Sequence, residues 1–199
     1  TILTNDFENT YAFINAGMRI RTQKKKYAYS LGANWQQAEL EGKITNGIKD
    51  SIISKTFRNI LPNARFQYSI TRFKTFSLTY NTNTNQPGMS QLQPVPDNSN
   101  PLYIREGNPD LKQEYNHNVQ ANLNFISPYK NKNLFFYMTM QATKNKIVNY
   151  DSINLQTGIR KTKPVNVDGV YNLNTNISYS MPVRFLKGSM ELSGNGGYS

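Results

Sequence analysis

The chain has 199 residues, with 23 Lys or Arg against 12 Asp or Glu, a net charge of +11, no Cys and a single His. The lack of Cys excludes disulfides, thiol catalysis and Cys-ligated zinc or iron–sulfur centres, and a lone His, His117, excludes a multi-His metal site. No stretch approaches the roughly 18–20 apolar residues of a membrane helix, the mean hydropathy of −0.64 looks soluble at face value, and 13 Tyr with 10 Phe argue against disorder.

The chain opens on Thr1 with no signal-like segment, as expected of a processed product or a piece of something longer. From there alternation dominates. Ala12, Ile14, Ala16, Met18 and Ile20 form one apolar row, and Tyr27, Tyr29, Leu31, Ala33 and Trp35 a second. Phe66, Tyr68 and Ile70, then Phe76, Leu78 and Tyr80, alternate with Gln, Ser and Thr. Val119, Ala121, Leu123 and Phe125 follow, then Leu134, Phe136, Met138, Met140 and Ala142, and last Tyr171, Leu173, Ile177, Tyr179 and Met181. Successive side chains of a strand point to opposite faces, so each run predicts a strand with one apolar and one polar face. The fold class is all-β.

The polar rows are Asn, Ser, Gln, Thr and Gly, with few charges; Asn alone accounts for 27 residues. Charges gather at strand ends instead: Lys24 to Lys26, Arg72 and Lys74, Lys130 and Lys132, Arg184 and Lys187. Uncharged polar side chains suit a crowded wet lumen, and a transmembrane β-barrel puts its apolar rows toward lipid. A soluble β-sandwich produces the same alternation, so alternation alone leaves the two readings even.

Connection lengths separate them. Thr22 to Lys26, Thr71 to Lys74, Ser127 to Asn133 and Pro182 to Lys187 are short. Glu41 to Ser51, Asn83 to Glu114 and Ser152 to Gly158 are longer or irregular. Short and long therefore alternate, as periplasmic turns and outer loops do in outer-membrane barrels. The rhythm predicts about eight long antiparallel strands in an up-and-down meander. Aromatics cluster beside the short turns (Tyr27, Tyr29, Phe73, Phe76, Phe125, Tyr129, Phe135, Phe136, Tyr137, Tyr179 and Phe185), as in an interfacial girdle.

The longest connection is turn material, with Pro87-Gly88, Asn100-Pro101 and Asn108-Pro109. It also carries a motif. Gly107, Asn108, Pro109, Asp110, Leu111, Lys112 and Glu114 match a Gly-Asn-Pro-Asp-Leu-Lys-Pro-Glu-like signature that opens a down-strand; Gln113 stands where that signature has Pro. Upstream, Phe57-Arg58-Asn59-Ile60-Leu61-Pro62 resembles an aromatic-to-Pro segment leading into a strand. On these residues the chain resembles the β-barrel portion of TonB-dependent outer-membrane receptors. The resemblance implies a barrel of about 22 strands enclosing a plug, of which residues 1–199 would be a single partial segment.

It further implies location in the outer membrane of a Gram-negative bacterium, and ligand binding and uptake. The implied partners are outer-membrane lipid and lipopolysaccharide, the protein's own plug and remaining strands, and an energy-transducing inner-membrane complex. No enzymatic activity, cofactor, metal or nucleic-acid partner is expected. The candidate ligand contacts lie on the long loop: Gln91, Gln93, Asn98, Tyr103 and Arg105. The motif residues are expected to be structural.

Other constellations carry less. His117 has no placed nucleophile beside it. Glu39 and Glu41 share a strand face near an outer loop, where a solvated strand end explains them. Asp97 and Asp110 lack a regular calcium-ligand spacing. The net charge and aromatics also fit an alternative, a soluble β module binding carbohydrate or single-stranded nucleic acid. However, the cations are spread over turns, and Trp35 sits in an apolar row.

Overall fold

The computed structural model describes residues 6–46, 49–94 and 96–199. Its main element is an eight-stranded antiparallel sheet. The strands are β1 (Asp6–Gln23), β2 (Tyr27–Asn46), β3 (Lys49–Thr71), β4 (Lys74–Asn85), β7 (Glu114–Ser127), β8 (Lys132–Lys144), β11 (Val170–Val183) and β12 (Gly188–Tyr198). They lie side by side in chain order, the meander that the rhythm predicts. The sheet is an open arc whose edge strands are β1 and β12.

Register sorts the faces. Trp35 pairs with Ala16 and Ile60, Tyr80 with Val119, and Ile177 with Phe136, so the apolar rows fall on one continuous face. No described residue covers it: Met18 is 78% exposed, and Ile14, Ile20, Leu31 and Ile60 are open as well. An apolar face this large is unstable in water. The other face is made of cross-strand rows such as Asn81–Asn118–Gln141–Asn172. Phe135 and Tyr137 fall on this polar face, opposite Asn124 and Asn122, and so are not part of the outer girdle expected of them. In the run of five apolar residues Leu134 to Met138, period two sends only alternate ones outward.

All four short connections lie at one end. Two of them are matching single turns of 3-10 helix, Pro128–Lys130 and Arg184–Leu186, closed by Asn131 and Lys187 in the left-handed region. Each projects a ring, Tyr129 (100% exposed) and Phe185.

The opposite end differs from expectation. Glu41 to Ser51, read as a long loop, is instead a ladder running to the pair Asn46–Lys49, with only residues 47 and 48 at its tip outside the described residues. Above the bilayer a ribbon has no lipid-facing row, so its sequence loses the apolar alternation and reads as loop. Asn83 to Glu114, read as aperiodic, contains one helical turn, α1 (Met89–Leu92), and two short strands, β5 (Asp97–Asn100) and β6 (Tyr103–Arg105); Val95 is outside the described residues. Ser152 to Gly158 is the tip of a hairpin formed by β9 (Lys146–Ile153) and β10 (Arg160–Val167). These four strands make a second sheet, in the order β5-β6-β10-β9, with β6 and β10 parallel.

The long connection folds back onto the polar face. Met89, Leu92 and Leu111 bury themselves against Leu40 on β2, with Tyr11, Ile53, Phe57 and Ile147 around them. Gly42 makes this possible, because a Cβ there would overlap the Met89 thioether. The connection fits where β3 and β4 part above the pair Asn63–Asn81. Hydroxyls replace the lost ladder partners: Thr82 Oγ1 donates to the Pro62 carbonyl (3.0 Å) and Tyr115 Oη to the Ile60 carbonyl (2.6 Å).

Candidate functional site

The second sheet stands at the long-connection end and encloses a cavity of about 510 Å³. Gln91, Gln93, Tyr103 and Arg105, four of the five loop residues singled out from the sequence, all line it. The fifth, Asn98, lies on β5, and its side chain is outside the described residues. Ser90, Glu106, Gly107, Asn149, Thr162 and Pro164 complete the wall.

The parallel pairing of β6 with β10 sets Tyr103 beside Arg160 and Arg105 beside Thr162. Two guanidinium groups flank the Tyr103 ring, Arg105 at 4.9 Å and Arg160 at 5.4 Å from its centroid. Such cation–π contacts hold the ring's orientation. Arg160 is paired with Asp151 (2.5 Å), whose other oxygen accepts from Thr162 Oγ1 (2.5 Å). Hydrogen bonds with Thr162 and Arg105, and then the two positive charges, hold the Tyr103 phenol below its ordinary range. Arg160, and after it Thr162, hold the Asp151 carboxyl below its own. The cavity thus offers one cation at Arg105, one carboxylate at Glu106, the Tyr103 phenol and several amides, with the Arg160–Asp151 pair beside Tyr103. It can donate and accept at once, which suits a polar ligand with both kinds of group.

Sequence reading missed Asp151, Arg160 and Thr162. They lie about fifty residues beyond Tyr103, and only a parallel pairing between a loop strand and a distant hairpin brings them there. No local pattern announces such a pairing.

The motif residues hold this sheet to the wall. Gly107 is buried, and a Cβ on it would overlap the Gln93 carbonyl oxygen and stand 2.8 Å from the Gln93 nitrogen. Asn108 N–H donates to the Gln91 carbonyl (2.6 Å) and Asn108 Nδ2 to the Pro164 carbonyl (3.0 Å). The Asn108 side chain also accepts from the Asp110 amide (3.1 Å), turning the chain after Pro109. Leu111 enters the core, and Lys112 exchanges two hydrogen bonds with the Asn166 side chain.

Glu114 is 8% exposed and accepts from the Ile147 amide (2.9 Å), Lys146 Nζ (3.0 Å) and Asn85 Nδ2 (3.3 Å). Burial alone would raise its pKa; these donors together outweigh that and lower it. Gln113, the departure from the motif, is buried and accepts from Asn59 (2.6 Å), while its own amide nitrogen has no partner.

His117 is taken up structurally, with Nδ1 2.9 Å from Tyr80 Oη and its ring against Tyr115. Among the described residues no group of three or more His, Asp or Glu is placed to hold a metal ion.

A family model, that of the outer membrane protein beta-barrel family, matches residues 1–199 throughout. The chain belongs to that family. The family assignment decides between the two readings of the alternation: this is a barrel wall in the outer membrane, and the uncovered apolar face is its lipid face. The polar face is the lumen, and the short turns mark the periplasmic end.

No curated protein matches the chain. Solved structures similar to it include the siderophore receptors PirA from Acinetobacter baumannii and from Pseudomonas aeruginosa. The first is 13% identical with a TM-score of 0.46, covering 88% of this chain and 35% of that one. The second is 14% identical with a TM-score of 0.47, covering 96% and 43%. The chain therefore spans less than half the length of either receptor.

Proposed function

We propose that the chain is part of the wall of a TonB-dependent receptor-like barrel, and that its outer cavity captures a polar ligand for uptake. The observation that carries this reading is the cavity itself. The long connections on one side converge, through a parallel strand pair, on a polar hollow at the outer mouth of the lumen. A loop that served only to join strands would need no second sheet.

The supporting argument from the wall is physical. The edges β1 and β12 expose unpaired backbone groups, which cannot stay bare in lipid. Further strands, to about 22 in a plugged transporter, satisfy them. In this proposal the plug fills the lumen, and an inner-membrane complex supplies energy through it. In this proposal the role is binding and transport rather than catalysis.

The test uses the whole parent protein extracted in detergent. Small molecules retained from spent growth medium are identified by mass spectrometry in the wild type and in Tyr103→Ala with Arg105→Ala. A retained solute that disappears in the double variant, and whose uptake stops when the proton gradient is collapsed, is the expected result. Retention that is equal in both proteins, or a parent protein that stays monomeric and soluble without detergent, refutes the reading.

A further inference from the structure

The ladder that joins β8 to β11 does not end where the second sheet begins. Thr143 pairs with Val170 at its top, and Lys146 pairs with Val167 at the foot of the β9–β10 hairpin. Two residues on each strand lie between these pairs, Lys144 and Asn145 facing Asp168 and Gly169, so the register runs straight through. A β-bulge would add a residue on one strand; none is added here. One continuous hairpin is instead bent at a single level, by backbone conformation alone. Asn145 (φ 54°) and Gly169 (φ 82°) stand in the left-handed region on the two sides of the bend.

The residues at the bend suit that shape. Asp168 Oδ1 accepts from the Asn145 amide and Asn166 Nδ2 donates to the Asn145 carbonyl, both at 2.7 Å, which replaces ladder bonds lost there. A Cβ on Gly169 would meet nothing within 4 Å, so conformation and not space calls for glycine. Asn is among the few other residues that enter the left-handed region readily. Neither residue is confined to it. Both can also take an extended conformation, and with the register already in place the hairpin would then rise as a straight ribbon. The β2–β3 ladder does this on the same rim, unbroken from Tyr27–Tyr68 to Asn46–Lys49.

The bend carries β9–β10 onto β6, where three parallel pairs hold it. The cavity wall is divided as a result: Asn149, Thr162 and Pro164 come from the hairpin, and the long connection supplies the rest. We propose that β9–β10 is a hinged flap. Bent at Asn145 and Gly169 it completes the outer cavity; straightened, it leaves β6 and opens the cavity to the outside. This role rests on the reading of that cavity as a capture site. A solute that touches both halves of the wall binds the bent form better, and so holds the flap shut. Each flap strand has 8 residues. At about 3.4 Å per residue the lever is about 27 Å long, and a swing of roughly 45° moves its tip about 20 Å.

The experiment measures electron–electron distances between spin labels on Gln156→Cys, at the flap tip, and Thr56→Cys, on β3, in the detergent-solubilised parent protein cleared of other cysteines. No solute is added, so the result tests the flap apart from the uptake assigned to the cavity. With the native hinge one distance should dominate. Asn145→Val with Gly169→Val should raise the share of a second, defined distance about a hundredfold relative to the first, about tenfold for each β-branched residue forced into the left-handed region. Gly169→Asn fills the same empty space but tolerates that region, and should stay within about threefold of the wild type. Lys187→Val sets the same strain in a periplasmic turn and should leave the distances unchanged. If the double variant fails to assemble, Gly169→Ala applies the strain more mildly and should still shift the ratio about fivefold. Three results would overturn the proposal: wild-type distances in the strained variants, a featureless spread in place of a second distance, or an equal shift from Gly169→Asn.

Discussion

Glu114 is the most informative single position in the outer half, because it ties the second sheet to the wall through one buried carboxylate. Its three donors lie at 2.9, 3.0 and 3.3 Å, and they come from β9, its Lys146 side chain and β4. A hydrogen bond to a buried charged group is worth about 1.5–3 kcal/mol. The Lys146 contribution is smaller, about 0–1 kcal/mol, since that side chain is 41% exposed. Glu114→Ala should therefore cost the attachment about 2–3 kcal/mol. Glu114→Gln keeps the shape and one acceptor and should cost about 1 kcal/mol, and Lys146→Ala less again.

Hydrogen exchange at the Ile147 amide reads this directly, because that proton is donated to Glu114. A loss of about 2 kcal/mol speeds exchange through local opening roughly thirtyfold. The carboxyl pKa is lowered in the fold, so its stabilisation is complete above the ordinary carboxylate value and disappears as pH falls through the folded one. Wild-type protection at Ile147 should accordingly fade on strong acidification, whereas Glu114→Gln should show no such step. Unchanged exchange in Glu114→Ala, or an equal effect of Lys146→Ala, would refute the reasoning.

Gly107→Ala forces a methyl into the Gln93 backbone and should cost about 1–3 kcal/mol of overpacking, seen as faster proteolysis between residues 86 and 113 with the wall intact. Tyr115→Phe removes the donor to the Ile60 carbonyl where β3 and β4 part, and should lower stability by about 1 kcal/mol in urea titration of the refolded barrel. Gly42→Val should evict Met89 from the core and expose α1, which oxidation of Met89 followed by mass spectrometry would report.

The wall was legible in the sequence because a membrane imposes period two on it. Each row, from Ala12–Ile20 to Tyr171–Met181, faces lipid, and one misplaced polar residue would be costly there. The outer half follows no such rule. The outer ends of the β2–β3 and β9–β10 ladders have no lipid-facing row, so their strands carry Lys, Asn and Thr and look like loop. The candidate site was half legible for the same reason: Gln91, Gln93, Tyr103 and Arg105 stood out on a long turn-rich segment, while Asp151, Arg160 and Thr162 depended on a long-range pairing. The motif was recognised as a unit, but its mechanics were not visible until Gly107 met Gln93 and Glu114 met Ile147.

The same division explains the net charge. Within about eight residues of a short turn stand twelve basic residues and one acidic residue, Glu191; the outer half balances, eleven against eleven, so the whole +11 falls at the periplasmic end. Nine of those cations sit on the turns themselves, beside the exposed rings of Tyr129 and Phe185. A cation near an anionic bilayer surface gains about 1 kcal/mol, and the gain decays within a Debye length. The attraction to anionic headgroups should therefore act at the periplasmic leaflet. Replacing Lys24, Lys25 and Lys26 with Gln should reduce the parent barrel's preference for phosphatidylglycerol over phosphatidylcholine in reconstituted vesicles, by roughly a hundredfold at low salt and much less at high salt. Replacing three outer cations, Lys144, Lys161 and Lys163, should leave it nearly unchanged. Equal effects from the two sets would mean that the cations act through overall charge, and that their gathering at one rim has no role.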